Sequence, residues 1–411
     1  MRKLFGAAVA FALLTTGVGV AGASNHATRS TVTGVTKDEI KLGITYVDLE
    51  PLKEVIDIDP GNFEAAFNAV IDDLNKKGGI NGRKVVPVFA AVSPIGTLPA
   101  QEACVKLTED EEVFAAIGFF LNDAALCYLE RYQTPVLGGA ITEEYLARAQ
   151  APWFTLEAGD DTAERVLDAF AAEGLFKRKY GKLGIVTLVQ QQSLLDDVVL
   201  PTLARNNIKG TSAIIDAPSG DQVATQQAAL AIIERFQADD IENVLLVGNS
   251  SVNFSDALAK TDYRPRMLTT AVTAAKTYVD TATTDQDVVR NLIGGEPAAD
   301  FNDPALQKCL GVIEKAIGVT IEATVPKGET DHRLSAQGAC QLVALFAEMA
   351  TGAGKKLTVE RFGKAGMRTM EIPGFGTIEY DPKTHTYSLP IYIFRYDDEL
   401  KTLVQDAQPI G

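Results

Sequence analysis

At 411 residues, 46% of them apolar, the chain is long enough for two domains with well-buried cores and too hydrophobic to be disordered. Its formal charge of −16 repels phosphate backbones and anionic lipids, which argues against nucleic-acid binding.

The first residues read as an address. Arg2 and Lys3 precede an apolar run from Leu4 to about Leu14, and Ala21-Gly22-Ala23 supplies a small-residue cleavage signal. This is the layout of a secretory signal peptide over residues 1–23. The run is short for a membrane span, and no later stretch approaches the roughly 20 apolar residues a span needs. No Cys follows it to carry a lipid. The expected mature protein is exported, periplasmic or extracellular, soluble and not lipid-anchored.

A polar lead-in (24–37) is followed by a predicted strand, IKLGITYV (40–47). NFEAAFNAVIDDLN then places Phe63, Phe67, Val70, Ile71 and Leu74 on one helical stripe. The unit recurs. Strands at 84–90, 113–120 and 134–139 precede helices at 98–110, near 123–132 and at 142–149. APWFTLEAGDD (151–161) reads as a boundary, and a second series follows it. Its strands fall at 182–189, 211–216, 243–248 and 265–270, with helices near 160–174, 194–206, 222–238 and 252–260. Short apolar strands alternating with helices predict parallel sheets covered on both faces, here in two lobes. The tail differs: a long helix near 333–351 precedes short strands punctuated by Pro and Gly, which predict antiparallel pairing.

NKKGGINGRKV (75–85) resembles a phosphate loop in composition. Its glycines follow a helix, however, and a phosphate cradle needs them between a strand and a helix N-terminus, where amides point at the anion. Gly78 and Gly79 are therefore read as a C-terminal cap, and Asn81-Gly82 as a tight turn into the next strand. GVGVAG (17–22) matches a dinucleotide fingerprint but lies in the signal peptide, and GAGKK (352–356) lacks the first glycine of a P-loop. No nucleophile elbow or H-E-x-x-H occurs. The pairs Asp196-Asp197 and Asp239-Asp240 are read as solvated helical positions. No cofactor is called for.

The four cysteines, Cys104, Cys127, Cys309 and Cys340, are an even count in an exported chain and predict two disulfides. Of the three pairings, the sequence-local one is favoured: Cys104 with Cys127, Cys309 with Cys340. None stands in a C-x-x-C pair, and the only histidines are His26, His332 and His385, so a zinc site is not expected.

IKLGITYVD, AVIDDLNKKGGINGRKVVPVF, FAAIGFF, TPVLGGAITEE and GFGTIEYDPKTHTYSLPIYIFRYD occur in this order along the chain. That succession resembles the type I periplasmic solute-binding proteins, in particular the leucine/branched-chain amino-acid-binding family of ABC importers, over most of residues 38–396. The resemblance implies an α/β fold of two Rossmann-like lobes joined by a three-strand hinge, with crossovers near 156, 298 and 385. The first lobe would comprise 38–156 and 298–385, the second 157–297 and 386–411. Cys104–Cys127 resembles the family's first-lobe disulfide.

Ligands of open parallel sheets lie at the carboxyl ends of the strands. On that basis Tyr46, Asp48, Asn122, Asp123, Ala140 and Thr142 are candidate contacts in the first lobe. Gln190, Gln191, Asn249, Ser250 and Thr270 are their counterparts in the second. Each has a plainer role open to it: Asn122-Asp123 and Thr142 suit helix caps, Gln190 and Asn249 suit ordinary surface, and Tyr46 suits the core with its hydroxyl at the lobe edge. Amino-acid-binding members carry small hydroxyl residues after the third strand and an acid after the second lobe's last strand. Here LND (121–123) and TTAVT (269–273) stand there, and Asp123 would repel a carboxylate.

The expected function is an extracytoplasmic receptor, monomeric, that binds a small polar solute (an amino acid or related amide or acid) between its lobes and delivers it to a membrane permease. A sensor of the same fold, reporting to a signalling partner, is the alternative. An exported enzyme ranks third, since no catalytic constellation is present.

Overall fold

The computed structural model describes residues 32–54, 58–157, 162–218, 221–281 and 284–410. The expected signal peptide, the fingerprint-like 17–22 and most of the polar lead-in lie outside the described residues. The chain opens with β1 (Glu39–Val47), α1 (Phe63–Lys76), β2 (Lys84–Val92), α2 (Leu98–Val105), β3 (Ala115–Gly118), β4 (Val136–Leu137), α3 (Glu143–Arg148) and β5 (Trp153–Phe154). Next come α4 (Thr162–Ala172), β6 (Lys182–Leu188), α5 (Leu200–Arg205), β7 (Gly210–Ile215), α6 (Gln222–Ala238), β8 (Ile241–Leu246), α7 (Ser250–Leu258) and β9 (Arg266–Thr269). α8 (Val272–Val279), α9 (Gln286–Val289), β10 (Leu292–Pro297), α10 (Pro304–Ile317), α11 (His332–Gly352) and α12 (Val359–Gly366) follow, before β11 (Met370–Ile372), β12 (Gly376–Ile378), β13 (Ile391–Asp397) and β14 (Thr402–Gln405).

Two sheets organise these elements. The first is parallel throughout, in the order β2-β1-β3-β4-β5. The second has the order β14-β13-β10-β9-β8-β6-β7; its β6–β10 core is parallel and β13 and β14 join antiparallel at one edge. The expected two-lobed α/β architecture is thus present, and the tail is antiparallel as its Pro and Gly punctuation indicates, with β11 and β12 forming a separate hairpin.

α1 shows how the sequence specifies its elements. Asn62 caps it by accepting the Ala65 N–H at 2.9 Å. Phe67 and Ile71 are buried in the first-lobe core, and Phe63, Val70 and Leu74 pack against it, each large side chain contributing on the order of 2 kcal/mol. Gly78 and Gly79 then take positive φ, 107° and 64°, and a Cβ on Gly79 would stand 2.0 Å from the Arg83 carbonyl oxygen. Asn81 and Gly82 form the left-handed turn that lets Ile80 and Arg83 pair across it. The stretch is a cap and a turn.

After β10 the chain returns to the first lobe. α10 and α11 pack on α1, and Leu306, Leu310, Ala339 and Val343 join Ile40, Leu42 and Ile44 of β1 in one core. Both disulfides are formed as favoured from sequence. Cys104–Cys127 ties α2 to a π-helical turn at 127–131, and Cys309–Cys340 ties α10 to α11. The second lobe has its own core around Phe236, Val244, Leu246 and Phe254.

Several differences from the sequence reading have local causes. The helix expected over 194–206 is interrupted: a π-helical turn at 194–199 precedes Pro201, whose missing N–H breaks the α-helical ladder. Asp239 and Asp240 lie beyond the end of α6, with Asp240 left-handed at φ 52°, so they are exposed turn residues and not helical ones. β10 was hidden by its glycines. Gly294 and Gly295 are there because α8 and α4 press on opposite faces: a Cβ would meet Val272 Cγ2 at 2.4 Å and Val166 Cγ1 at 2.6 Å, respectively.

The segments between the sheets are held to one another. Tyr380 Oη donates to the Thr155 carbonyl at 2.9 Å, and Tyr387 Oη to the Leu156 carbonyl at 3.3 Å. His385 stacks on Phe154 and bonds the Trp153 carbonyl through Nδ1, while Arg165 donates to the Leu389 carbonyl. No helix among the described residues is long and apolar enough to cross a membrane.

Candidate functional site

A cavity of about 850 Å³ opens between the lobes beside these crossing segments. Leu156, Glu157, Glu296–Ala299 and Leu389 form its hinge wall. The second lobe supplies the loop after β9 (Thr270–Thr273) with Lys276 and Asp280 of α8, and the first supplies Asp59, Lys327, Asp331 and Arg333. Ile58, Val272, Phe375 and Phe394 make much of the remaining surface apolar.

Its charged groups differ in how far they are already satisfied. Lys276 pairs with Asp280 at 2.8 Å, and Thr402 bridges both through its hydroxyl. Lys327 reaches from the first lobe to the C-terminus of α8, donating to the Val279 carbonyl at 3.1 Å and to the Thr281 carbonyl. Asp331 caps α11, accepting the Arg333 N–H at 3.1 Å, and pairs with Arg333 Nη2 at 3.3 Å. Arg333 Nε is buried and finds no partner among the described residues. Asp59 accepts the Gly61 N–H and the Thr330 hydroxyl.

Neither hinge carboxylate pairs with a cation among the described residues. Glu296 accepts the Thr273 N–H at 2.8 Å and its hydroxyl at 2.9 Å, at the N-terminus of α8, where an anion suits the helix dipole. Burial nevertheless pushes its pKa up against those bonds. Glu157 is crowded by the cleft walls, which also raises its pKa, while its surface stays open to the cleft solvent. The backbone N–H of Gly139 works against that rise.

Of the candidate contacts read from sequence, Thr270 lines this cavity, and its hydroxyl accepts the Gly248 N–H at 3.4 Å. Thr142 caps α3 through the Tyr145 N–H and lines a second cavity, of about 1090 Å³, between that helix and residues 379–388. The other candidates do not line the first cavity. Tyr46 stacks on Phe63 and donates to Glu64 at 2.7 Å, and Asp48 accepts the Glu50 N–H. Asn122 is exposed and left-handed at φ 48°, and Asp123 and Ala140 are exposed beside β3 and β4. Gln190 donates to the Ala217 carbonyl, Gln191 accepts the Asn249 N–H at 2.9 Å, and Ser250 is buried with its hydroxyl on the Val186 carbonyl. Gln191 and Ser250 therefore shape the loop after β8 from within.

The sequence reading missed Glu157, Glu296, Lys276, Lys327 and Arg333. A signal for the first two was present: a charged residue in a segment that crosses between lobes has the cleft as its surroundings. Lys276 and Lys327 carry no comparable mark. No group of His, Cys, Asp and Glu side chains among the described residues is arranged to hold a metal ion.

The two-lobed α/β fold has known counterparts. A leucine-binding protein from Thermotoga maritima superposes with a TM-score of 0.63 at 13% identity, covering 90% of this chain and 99% of that one. A solute-binding protein of an ABC transporter from Rhodopseudomonas palustris, solved with 4-hydroxybenzoate, gives 0.63 at 14% identity, covering 91% and 97%. A fatty acid ABC transporter substrate-binding protein from Thermomonospora curvata gives 0.57 at 16%, covering 92% and 94%. At these identities the likeness is one of fold. No curated protein matches the sequence. The family model of the periplasmic binding proteins matches residues 58–401. The chain therefore belongs to the periplasmic binding protein family.

Proposed function

We propose that the protein is an exported, monomeric solute receptor of an ABC importer, which captures a small molecule between its lobes and hands it to a membrane permease. The supporting observation is the cavity walled by both lobes and by the crossing segments, since a ligand that touches both sides binds the closed form better and so drives closure. In this reading the first lobe is 38–156 with 298–385, the second is 157–297 with 386–411, and residues 1–23 are removed on export. Relatives of the fold carry leucine, hydroxybenzoate and fatty acid in their names, so fold alone does not choose a solute. Thr270 is the contact we assign from the strand ends. Tyr46, Asp48, Asn122, Asp123, Ala140, Thr142, Gln190, Gln191, Asn249 and Ser250 stay with the carboxyl edges that face the ligand when the lobes close.

The test is a thermal-shift screen of the protein from Ser24 onward against amino acids, amides, polyols, amines and aromatic acids, followed by calorimetry on each hit. A binder raises the melting temperature without being consumed. Chemical conversion of a hit would replace the receptor reading with an enzymatic one.

A further inference from the structure

We infer that the cleft selects a cationic solute, a small molecule carrying a protonated amine that is held at the hinge by Glu157 and Glu296. This rests on the receptor reading and adds to it the charge class of the ligand.

Among the described residues, six carboxylates line the cavity against three cations. The cations are already engaged: Lys276 by Asp280, Arg333 by Asp331, and Lys327 by the carbonyls that end α8. An organic anion entering the cleft would have to break one of these pairings and leave the released carboxylate unpaired, a costly exchange in a partly dry site. It would also stand against Glu157.

Glu157 offers the opposite. Among the described residues it forms no ion pair, and the backbone N–H of Gly139 is what favours its charged form. A carboxylate accepts at about four lone-pair positions, so most of its capacity faces the cleft. Glu296 lies on the other hinge strand of the same wall; Thr273 donates to both of its oxygens, which leaves a lone pair on each for a further donor. At Glu296, which is part-buried, a charge without a cation among the described residues lowers stability, and such a cost is usual at groups kept for binding. An ammonium donates three bonds in a compact cone and suits the open lone pairs of this wall.

Matched probes test the charge directly. Benzylamine and benzoate differ in the charged head on one ring; agmatine and putrescine extend the amine series, and 4-hydroxybenzoate the acid series. Calorimetry is expected to show heat and a raised melting temperature with at least one amine and with neither acid. Glu157→Gln should weaken that amine at least about tenfold, because it removes one partner of a desolvated charge pair. The empty variant should melt no lower than the parent. Acids bound as tightly as amines, or amine binding untouched by Glu157→Gln, would overturn the inference and leave the receptor reading standing. No response to any probe in these series or in the wider screen would remove the receptor reading itself.

Discussion

The two lobes reach stability by different means. In the first, β1 and β2 run 9 residues each, but β3, β4 and the edge strand β5 are only 4, 2 and 2 residues long, and both disulfides lie in this lobe. In the second, β6, β7 and β8 run 7, 6 and 6 residues, and all four cysteines are elsewhere. A short strand makes few ladder bonds, so the first lobe depends more on helices α1, α10 and α11 and on covalent restriction of the unfolded chain. The lesson is that a fold built on one repeated plan can distribute its stability unevenly, which bears on which half opens first.

The largest effect that sharpens this comparison comes from Cys309→Ser with Cys340→Ser. Losing a bridge across this span should cost about 3–4 kcal/mol, read as a lower urea midpoint. Hydrogen exchange should show protection lost in α1, α10 and α11 while β6 and β8 keep theirs. Equal loss in both lobes would break the comparison. Gly79→Ala comes next, at about 1–3 kcal/mol, because its left-handed φ and the Arg83 carbonyl both oppose a side chain. Gly248→Ala in the second lobe should cost less: φ is again positive, at 59°, but the nearest atoms belong to the Gln191 side chain, which can swing aside.

A smaller effect tests the crossing segments. Tyr380→Phe removes the bond to the Thr155 carbonyl and should cost about 1–2 kcal/mol, with faster exchange at the crossovers. The smallest is a pH effect at Glu157. Burial raises its folded pKa above the unfolded value, so its stabilising share is complete below the unfolded pKa and is lost as pH rises through the folded one. Glu157→Gln should therefore match or exceed the parent's melting temperature at neutral pH, with the difference vanishing below about pH 4. A variant that melts lower at neutral pH would show that Glu157 is a structural group.

Much of the fold was legible because its signals are local. The stripe from Phe63 to Leu74, the Gly78-Gly79 cap and the alternation of apolar strands with helices each follow from nearest-neighbour chemistry. β10 was not legible, since Gly294 and Gly295 serve helices distant in sequence, and β5 was read as a boundary because two residues carry no periodicity. The site was harder for the same reason. Strand ends can be located from sequence, which led to Thr270, but the roles of Glu157 and Glu296 depend on how segments that cross between lobes sit against Gly139 and α8. Gln191 and Ser250 show the converse, polar residues at strand ends that turn inward to hold a loop.

The central claim, a hinged receptor that closes on a solute, is tested most directly by small-angle X-ray scattering of the mature protein with and without the tightest hit from calorimetry. Closure of the lobes predicts a smaller radius of gyration at saturation, with the solute recovered unchanged. Saturation with no contraction, or a solute recovered as product, would contradict it.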